Sequence, residues 1–282
     1  MKRLIITGDD FGLAAPVNEA IAEAHRRGVL TTASLMVGAA AAADAVGQAH
    51  RLPSLRVGLH LVLVEGRPVL PPVEVSGLVG AGGEFSPSPA RTAFNLCRPS
   101  VRRQAEAEIR AQFEAFRRTG LRLDHVNAHN HLHIHPMVLG MILKVGRDFG
   151  MQAVRLPWEP PVISWQAAGR GLASKLGASA FLAPWLGLMR SRLRRAGMRT
   201  NQYLFGMADS GRMTLDRALE FVRRLPEGDG EIYFHPATRR CPEIAATMPE
   251  YRHVDEFRAL IDPALAGAIA RAGAQLISFA DL

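Results

Sequence analysis

Short apolar, β-rich runs alternate with longer amphipathic runs along this 282-residue chain, and nothing else in it restricts the fold as strongly. The strand-like runs cover residues 3–8, 31–37, 55–62, 121–128, 153–156, 202–205, 231–234 and 275–279. Helical periodicity falls between them, as at 16–27, where Val17, Ala20, Ile21 and Ala24 share a stripe. Further helices are expected from the alanine-rich tract up to His50 and at 102–118, 137–149, 214–224 and 255–272, with Gly120 and Gly150 as stops. Strands separated by helices predict an α/β protein with a parallel sheet, either closed as a barrel or open and doubly wound.

The ionisable residues choose between these. Asp9 and Asp10 follow the first run in LIITGDDFGL, and His60 ends the third in VGLHL. His129, His131, His133 and His135 lie at and beyond the end of the fourth in DHVNAHNHLHIHP; Arg155 ends the fifth and His235 the seventh. In an α/β barrel the strand ends of this one face meet around the active site. The expected fold is therefore an irregular (β/α) barrel of seven or eight parallel strands. Taken singly, each residue has a plainer role: a histidine inside an apolar strand is more often a hydrogen-bonded core residue, and an Asp pair before a helix often caps it. Five histidines between His125 and His135 at alternate positions would share one face of an extended chain, which suits a metal site better than a solvated edge.

Imidazole and carboxylate together suit a divalent ion, and a catalytic centre leaves positions open for water and substrate. One Asp and two His from three strands would make such a centre. The bound ion would lower the pKa of water toward about 7 and polarise a substrate oxygen. A second carboxylate could then act as base, and a histidine could protonate the leaving group. On this reading one of the adjacent aspartates is a ligand and the other the base.

Charge is unevenly spread. Of the net +8, +7 lies between residues 160 and 208, which hold Arg170, Lys175, Arg190, Arg192, Arg194, Arg195 and Arg199 and no Asp or Glu. An apolar block at 178–188 runs into that basic cluster, the composition of a segment lying on an anionic membrane face or of a helical hairpin over the barrel mouth. No recognition motif or stacking aromatics accompany it, so nucleic acid is not an expected partner. Residues 1–282 read as one domain, with a basic, apolar insertion at about 160–200. Cys97 and Cys241 lack CxxC partners and read as thiols in a reducing compartment. Asp9 comes too early for a signal-peptide core, and no uncharged run reaches the roughly 20 residues of a spanning helix. The expected location is cytoplasmic, with peripheral contact on the inner membrane face.

TGDDFG, GLHL, DHVNAHNHLHIHP and FHP, in this order, resemble the YdjC-like carbohydrate deacetylase family, relatives of the chitooligosaccharide deacetylases. The resemblance implies an irregular barrel that removes acetyl groups from N-acetylated sugars with one divalent metal ion, Zn2+ or Mg2+. Matched by motif, Asp10, His60 and His129 would bind the metal, Asp9 would be the base and His235 the acid. Arg155 and His131 would line the sugar or acetate pocket. Metal phosphoesterases on similar barrels place an HxH pair on the first strand, where this chain has Gly-Asp-Asp. Two departures stand out: Asn127-Ala128 precedes His129 where the family often has Asp-Ser, and the connection after the fifth strand is longer than usual. That insertion gives the chain its likeness to the hopanoid-biosynthesis-associated branch, which implies an N-acetylglucosaminyl glycolipid as substrate. Soluble chitooligosaccharides, or glycan or lipid binding around a non-catalytic metal site, are the alternatives.

Overall fold

The computed structural model describes residues 1–282. Its strands are β1 (Lys2–Phe11), β2 (Thr32–Leu35), β3 (Arg56–Leu61), β4 (Leu123–Ala128), β5 (Tyr203–Phe205), β6 (Gly228–Phe234) and β7 (Ala274–Ile277). The helices up to the insertion are α1 (Ala15–Arg27), α2 (Ala42–His50), α3 (Pro89–Asn95), α4 (Pro99–Arg118) and α5 (Pro136–Asp148). The insertion supplies α6 (Pro161–Ala168) and α7 (Leu172–Arg195). After it come α8 (Leu215–Arg223), α9 (Pro242–Thr247), α10 (His253–Ile261) and α11 (Pro263–Arg271).

All pairings between these strands are parallel, in the order β4-β3-β2-β1-β6-β5. One flank of β1 lies along β6, from Lys2 to Gly8. The other is shared, with β7 against Lys2–Ile5 and β2 against Thr7–Phe11. The run expected as a strand at 153–156 forms two bridges instead, Val126 with Val154 and Ala153 with Arg199, which carry the curl on from β4. The result is a curled parallel sheet wrapped by helices, an irregular barrel. The single helix expected at 255–272 is two, because Pro263 cannot continue α10; Asp262 caps the second by accepting from the Ala264 N–H (2.8 Å).

Alternation along β1 stacks the interior in layers. Ile5 joins Ala153, Ile277 and Phe279 in a small apolar plug, apart from the main core that takes Leu4 and Ile6. Two residues on, the hydroxyl of Thr7 meets a buried ionic layer, and Asp9 stands above that. Gly58 on β3 leaves room for the ring of His125, where a Cβ would come within 2.3 Å, and that ring stacks on Phe279 with 4.3 Å between centroids.

The insertion contrasts with this interior. Uncharged runs in it stop at Lys175 and Arg190, but the helix continues through both. At 24 residues α7 is, by length and composition, long and apolar enough to cross a membrane, which the uncharged runs alone did not suggest.

Candidate metal centre

Asp10 at the end of β1, His60 in β3 and His129 just after β4 bring one ligand atom each to within 4.8 Å of one another. All three are buried, Asp10 to 1% exposure. His60 Nε2 and His129 Nδ1 lie 3.3 and 3.2 Å from Asp10 Oδ1, at ion-pair distance but without hydrogen-bond geometry, and neither Asp10 oxygen accepts a hydrogen bond. A buried carboxylate with no hydrogen bond is costly, and two imidazoles converging on it make the donor set a divalent cation satisfies. The residues present fit the ion.

The outward nitrogens of both histidines are engaged. His129 Nε2 lies 3.1 Å from Glu65 Oε2, so a proton on Nε2 leaves Nδ1 free to face Asp10. Glu65 thereby supplies a carboxylate beside the centre, from the β3–α3 connection, in a chain that carries Asn127-Ala128 before His129. His60 Nδ1 sits 2.7 Å from the Asn127 carboxamide. With its oxygen toward Arg155 Nη1 (2.7 Å) and Ser34, Asn127 donates to His60 Nδ1; turned over, its oxygen accepts a hydrogen bond from Nδ1–H, which leaves Nε2 free for a ligand. Burial alone would lower the pKa of His129, yet Asp10 and Glu65 override it and raise it to about 10. Burial likewise opposes ionisation of Asp10, whose carboxyl is nonetheless held well below its usual range by His129 and His60.

The chain has four non-glycine residues in the left-handed region: Asp10 (φ 63°), Glu65 (57°), Asn130 (52°) and His131 (51°). All four belong to this site, where such strain concentrates. At Asp10 the left-handed turn breaks strand alternation, so Asp9 and Asp10 serve one centre instead of opposite faces of the sheet.

Asp9 is gripped from below. Arg155 donates to both its oxygens (2.6 and 3.0 Å), and also to Glu231 through Nε (3.0 Å) and Nη2 (2.6 Å), while the Thr7 hydroxyl donates to Glu231 (2.7 Å). Burial would raise the Asp9 pKa, but the Arg155 charge prevails and keeps the carboxylate ionised. This corrects the expectation that Arg155 lines the sugar pocket. Its exposure is 0%, and its guanidinium is taken up by two carboxylates.

His235 continues β6 on the opposite side. Its N–H donates to Glu256 (2.6 Å), and its carbonyl lies 2.7 Å from His253 Nδ1. Burial pushes its imidazole down to about 4, against the opposing pull of Asp10 and Asp9. The five histidines of the 125–135 stretch do not share an extended face, because a 3-10 turn at His129–Ile134 disperses them. His131 faces the cavity with Nε2 3.1 Å from the Tyr233 hydroxyl. His133 bonds the Arg155 carbonyl (3.1 Å), and His125 lies deeper, against Ser34 and Asp124. A cavity of about 280 Å³ opens above Asp9, His60 and His129, with His131, Tyr233 and His235 in its wall. Sequence reasoning passed over Glu65, Glu231, Tyr233 and Glu256. A buried acid inside a strand was the one available signal, at Glu231.

A curled parallel barrel with an Asp-His-His cluster at its C-terminal strand ends is an α/β-barrel protein with a candidate divalent-metal centre. The family pattern described as YdjC-like protein matches residues 3–271, and the chain belongs to that family. A carbohydrate deacetylase from Geobacillus stearothermophilus is 30% identical over 98% of this chain and 96% of its own length. The human carbohydrate deacetylase is 31% identical over 99% of this chain and 91% of its own. A third, from Brevibacillus brevis, is 40% identical over 55% of this chain, and that match spans 60% of the relative's length. The crystal structure of an Enterococcus faecalis protein superposes with a TM-score of 0.75 at 24% identity, covering 99% of this chain and 98% of that one, which shows the fold.

Proposed function

We propose that this protein is a metal-dependent deacetylase that removes the acetyl group from an N-acetylglucosamine unit, carried on a hopanoid-type glycolipid. One observation carries the deacetylase reading: a buried, unpartnered Asp10 faced by two imidazoles, beside an Asp9 kept ionised by Arg155. Asp10, His60 and His129 would hold the divalent ion, which supplies polarisation of the acetamide carbonyl and of water. Asp9 takes a proton from the attacking water, and Arg155 keeps the carboxylate aimed and charged while it does so. His235 is neutral at rest, so it takes up a proton within the site before passing it to the departing nitrogen. The Asp9 and Asp10 charges favour that imidazolium. His131 and Tyr233 orient the sugar, and the products are acetate and a free amine.

The lipid part of the reading is supported by α7. Phe181 is 75% exposed, Trp185 and Leu188 stand beside it on the helix, and the basic cluster follows. Such a surface suits peripheral contact with an anionic membrane, and with two free cysteines it supports a cytoplasmic location at the inner face. The test is mass spectrometry of metal-loaded protein incubated with an N-acetylglucosaminyl glycolipid and with diacetylchitobiose. Loss of one acetyl from the glycolipid alone is expected. Turnover of chitobiose alone would overturn the lipid reading and keep the deacetylase. No loss from either would overturn both.

A further inference from the structure

A second and larger cavity, of about 580 Å³, lies between the insertion and the barrel. It adjoins the first: Met207 is in the wall of both, Asp209 lines the larger and Ser210 the smaller. Trp158 and Glu159, which follow Arg155 on the chain, form its barrel side; Ala178, Leu182 and Leu186 of α7 form the other. Arg190, which is not in the wall, holds the Trp158 ring at 5.3 Å from its centroid.

The charged groups inside are satisfied with one exception. Asp209 lies 3.4 Å from both Lys175 Nζ and Arg217 Nε, and Lys175 also donates to Ser164 (2.7 Å). Arg170 and Arg212 are exposed at the mouth and stay hydrated. Glu159 accepts from the Ala208 N–H through Oε2 (3.0 Å), but its Oε1 is shut off from water and accepts nothing. A chamber with an apolar side, formed by Trp158 and the α7 residues Ala178, Leu182 and Leu186, and with one unmet carboxylate oxygen fits a molecule that is apolar over most of its length and carries one hydroxyl.

We infer that this cavity is an aglycone subsite: it takes the apolar, hydroxyl-bearing group attached to the sugar whose acetamide sits over Asp9 and Asp10, with that hydroxyl donating to Glu159. The inference rests on the deacetylase reading and commits the insertion to an inward role, as the wall of a binding chamber, in addition to any contact its outer face makes.

The experiment compares kcat/KM for acetate release from three N-acetyl-β-glucosaminides bearing methyl, hexyl and hydroxyhexyl groups, in wild-type protein, Ala178→Trp and Glu159→Leu. Burial of the extra methylenes is expected to favour hexyl over methyl by at least about tenfold in the wild type. Ala178→Trp, on an exposed position of α7 facing the chamber, is expected to bring that ratio close to one. Glu159→Leu is expected to lower the hydroxyhexyl-to-hexyl ratio by up to about tenfold, the scale of one buried hydrogen bond. Equal rates on methyl and hexyl glycosides, or a hexyl preference that survives Ala178→Trp, would overturn the subsite and leave the deacetylase standing. Acetate release from none of the three would overturn the deacetylase reading, and the subsite with it.

Discussion

Arginine serves two opposite purposes in the two halves of this molecule. In the barrel interior, Arg155 is wholly enclosed and bonds two carboxylates, which fixes the orientation of Asp9. In the insertion, Arg194 and Arg195 stand in solvent on a helix whose apolar residues are largely uncovered. A buried ion network has one good arrangement, because breaking any member strands a charge in a poorly solvated place. Exposed charges on a lightly packed helix specify no single arrangement, and they tolerate substitution. Chemistry that needs sub-ångström placement suits the first region, whereas recognition of a variable group suits the second.

The sharpest way to break this contrast is at Asp9. Asp9→Asn is expected to lower turnover by about a hundred- to ten-thousandfold while the protein retains its bound divalent ion, measured by elemental mass spectrometry. Loss of the ion in this variant would exchange the roles assigned to Asp9 and Asp10. Next in size is Arg155→Leu, which leaves Asp9 and Glu231 facing each other without their cation. It is expected to destabilise the fold by about 3–5 kcal/mol in urea unfolding. Arg194→Leu in the insertion should leave the midpoint unmoved, and equal shifts in the two variants would erase the distinction between the regions.

Glu65→Gln probes the loop that braces His129. Weaker orientation of the ring should reduce divalent-ion affinity about 10- to 100-fold by titration calorimetry; an unchanged affinity would mean that Glu65 only packs there. A further expected effect concerns pH. Burial raises the Glu256 carboxyl from 4.5 to about 7, so between those values the native state keeps a proton the unfolded chain has released. Stability should therefore fall as pH rises from about 4.5 to about 7, and Glu256→Gln should remove that slope. His235, held at about 4, has the opposite sign, since the unfolded chain protonates first on acidification. The difference between wild-type and variant urea midpoints across this range isolates Glu256, and parallel curves would refute the assignment.

The meeting of Asp10, His60 and His129 is legible in the sequence because each ends or follows a parallel strand, and parallel strands in a barrel deliver their ends to one face. What surrounds the triad is less legible. The partner of Arg155 depends on Glu231 lying one layer below Asp9, and that follows from the register of β1 against β6, which no local pattern encodes. Glu65 reaches His129 from a connecting loop through a left-handed residue, a placement set by tertiary packing. The histidine stretch misled for the opposite reason: its alternation is regular, but Asn130 and His131 turn left-handed and scatter the rings. Pro263, by contrast, was an available signal for dividing the last helical stretch, since proline cannot donate to the turn before it.

The shared flank of β1 has a consequence for how the molecule comes to exist. β1 is the first strand made, but its partners β6 and β7 lie at residues 228–234 and 274–277. During synthesis β2 can cover one flank of Thr7–Phe11 early, but Lys2–Ile5 and the whole other flank of this apolar strand must wait for nearly the whole chain to follow. Loop closure over so many residues is slow, and an exposed strand of this kind invites mispairing while it waits. The ionic layer beneath Asp9, which needs Glu231 of β6, is completed late, and a chain interrupted before residue 274 would contain every residue of the candidate metal centre without the strand that flanks Lys2–Ile5.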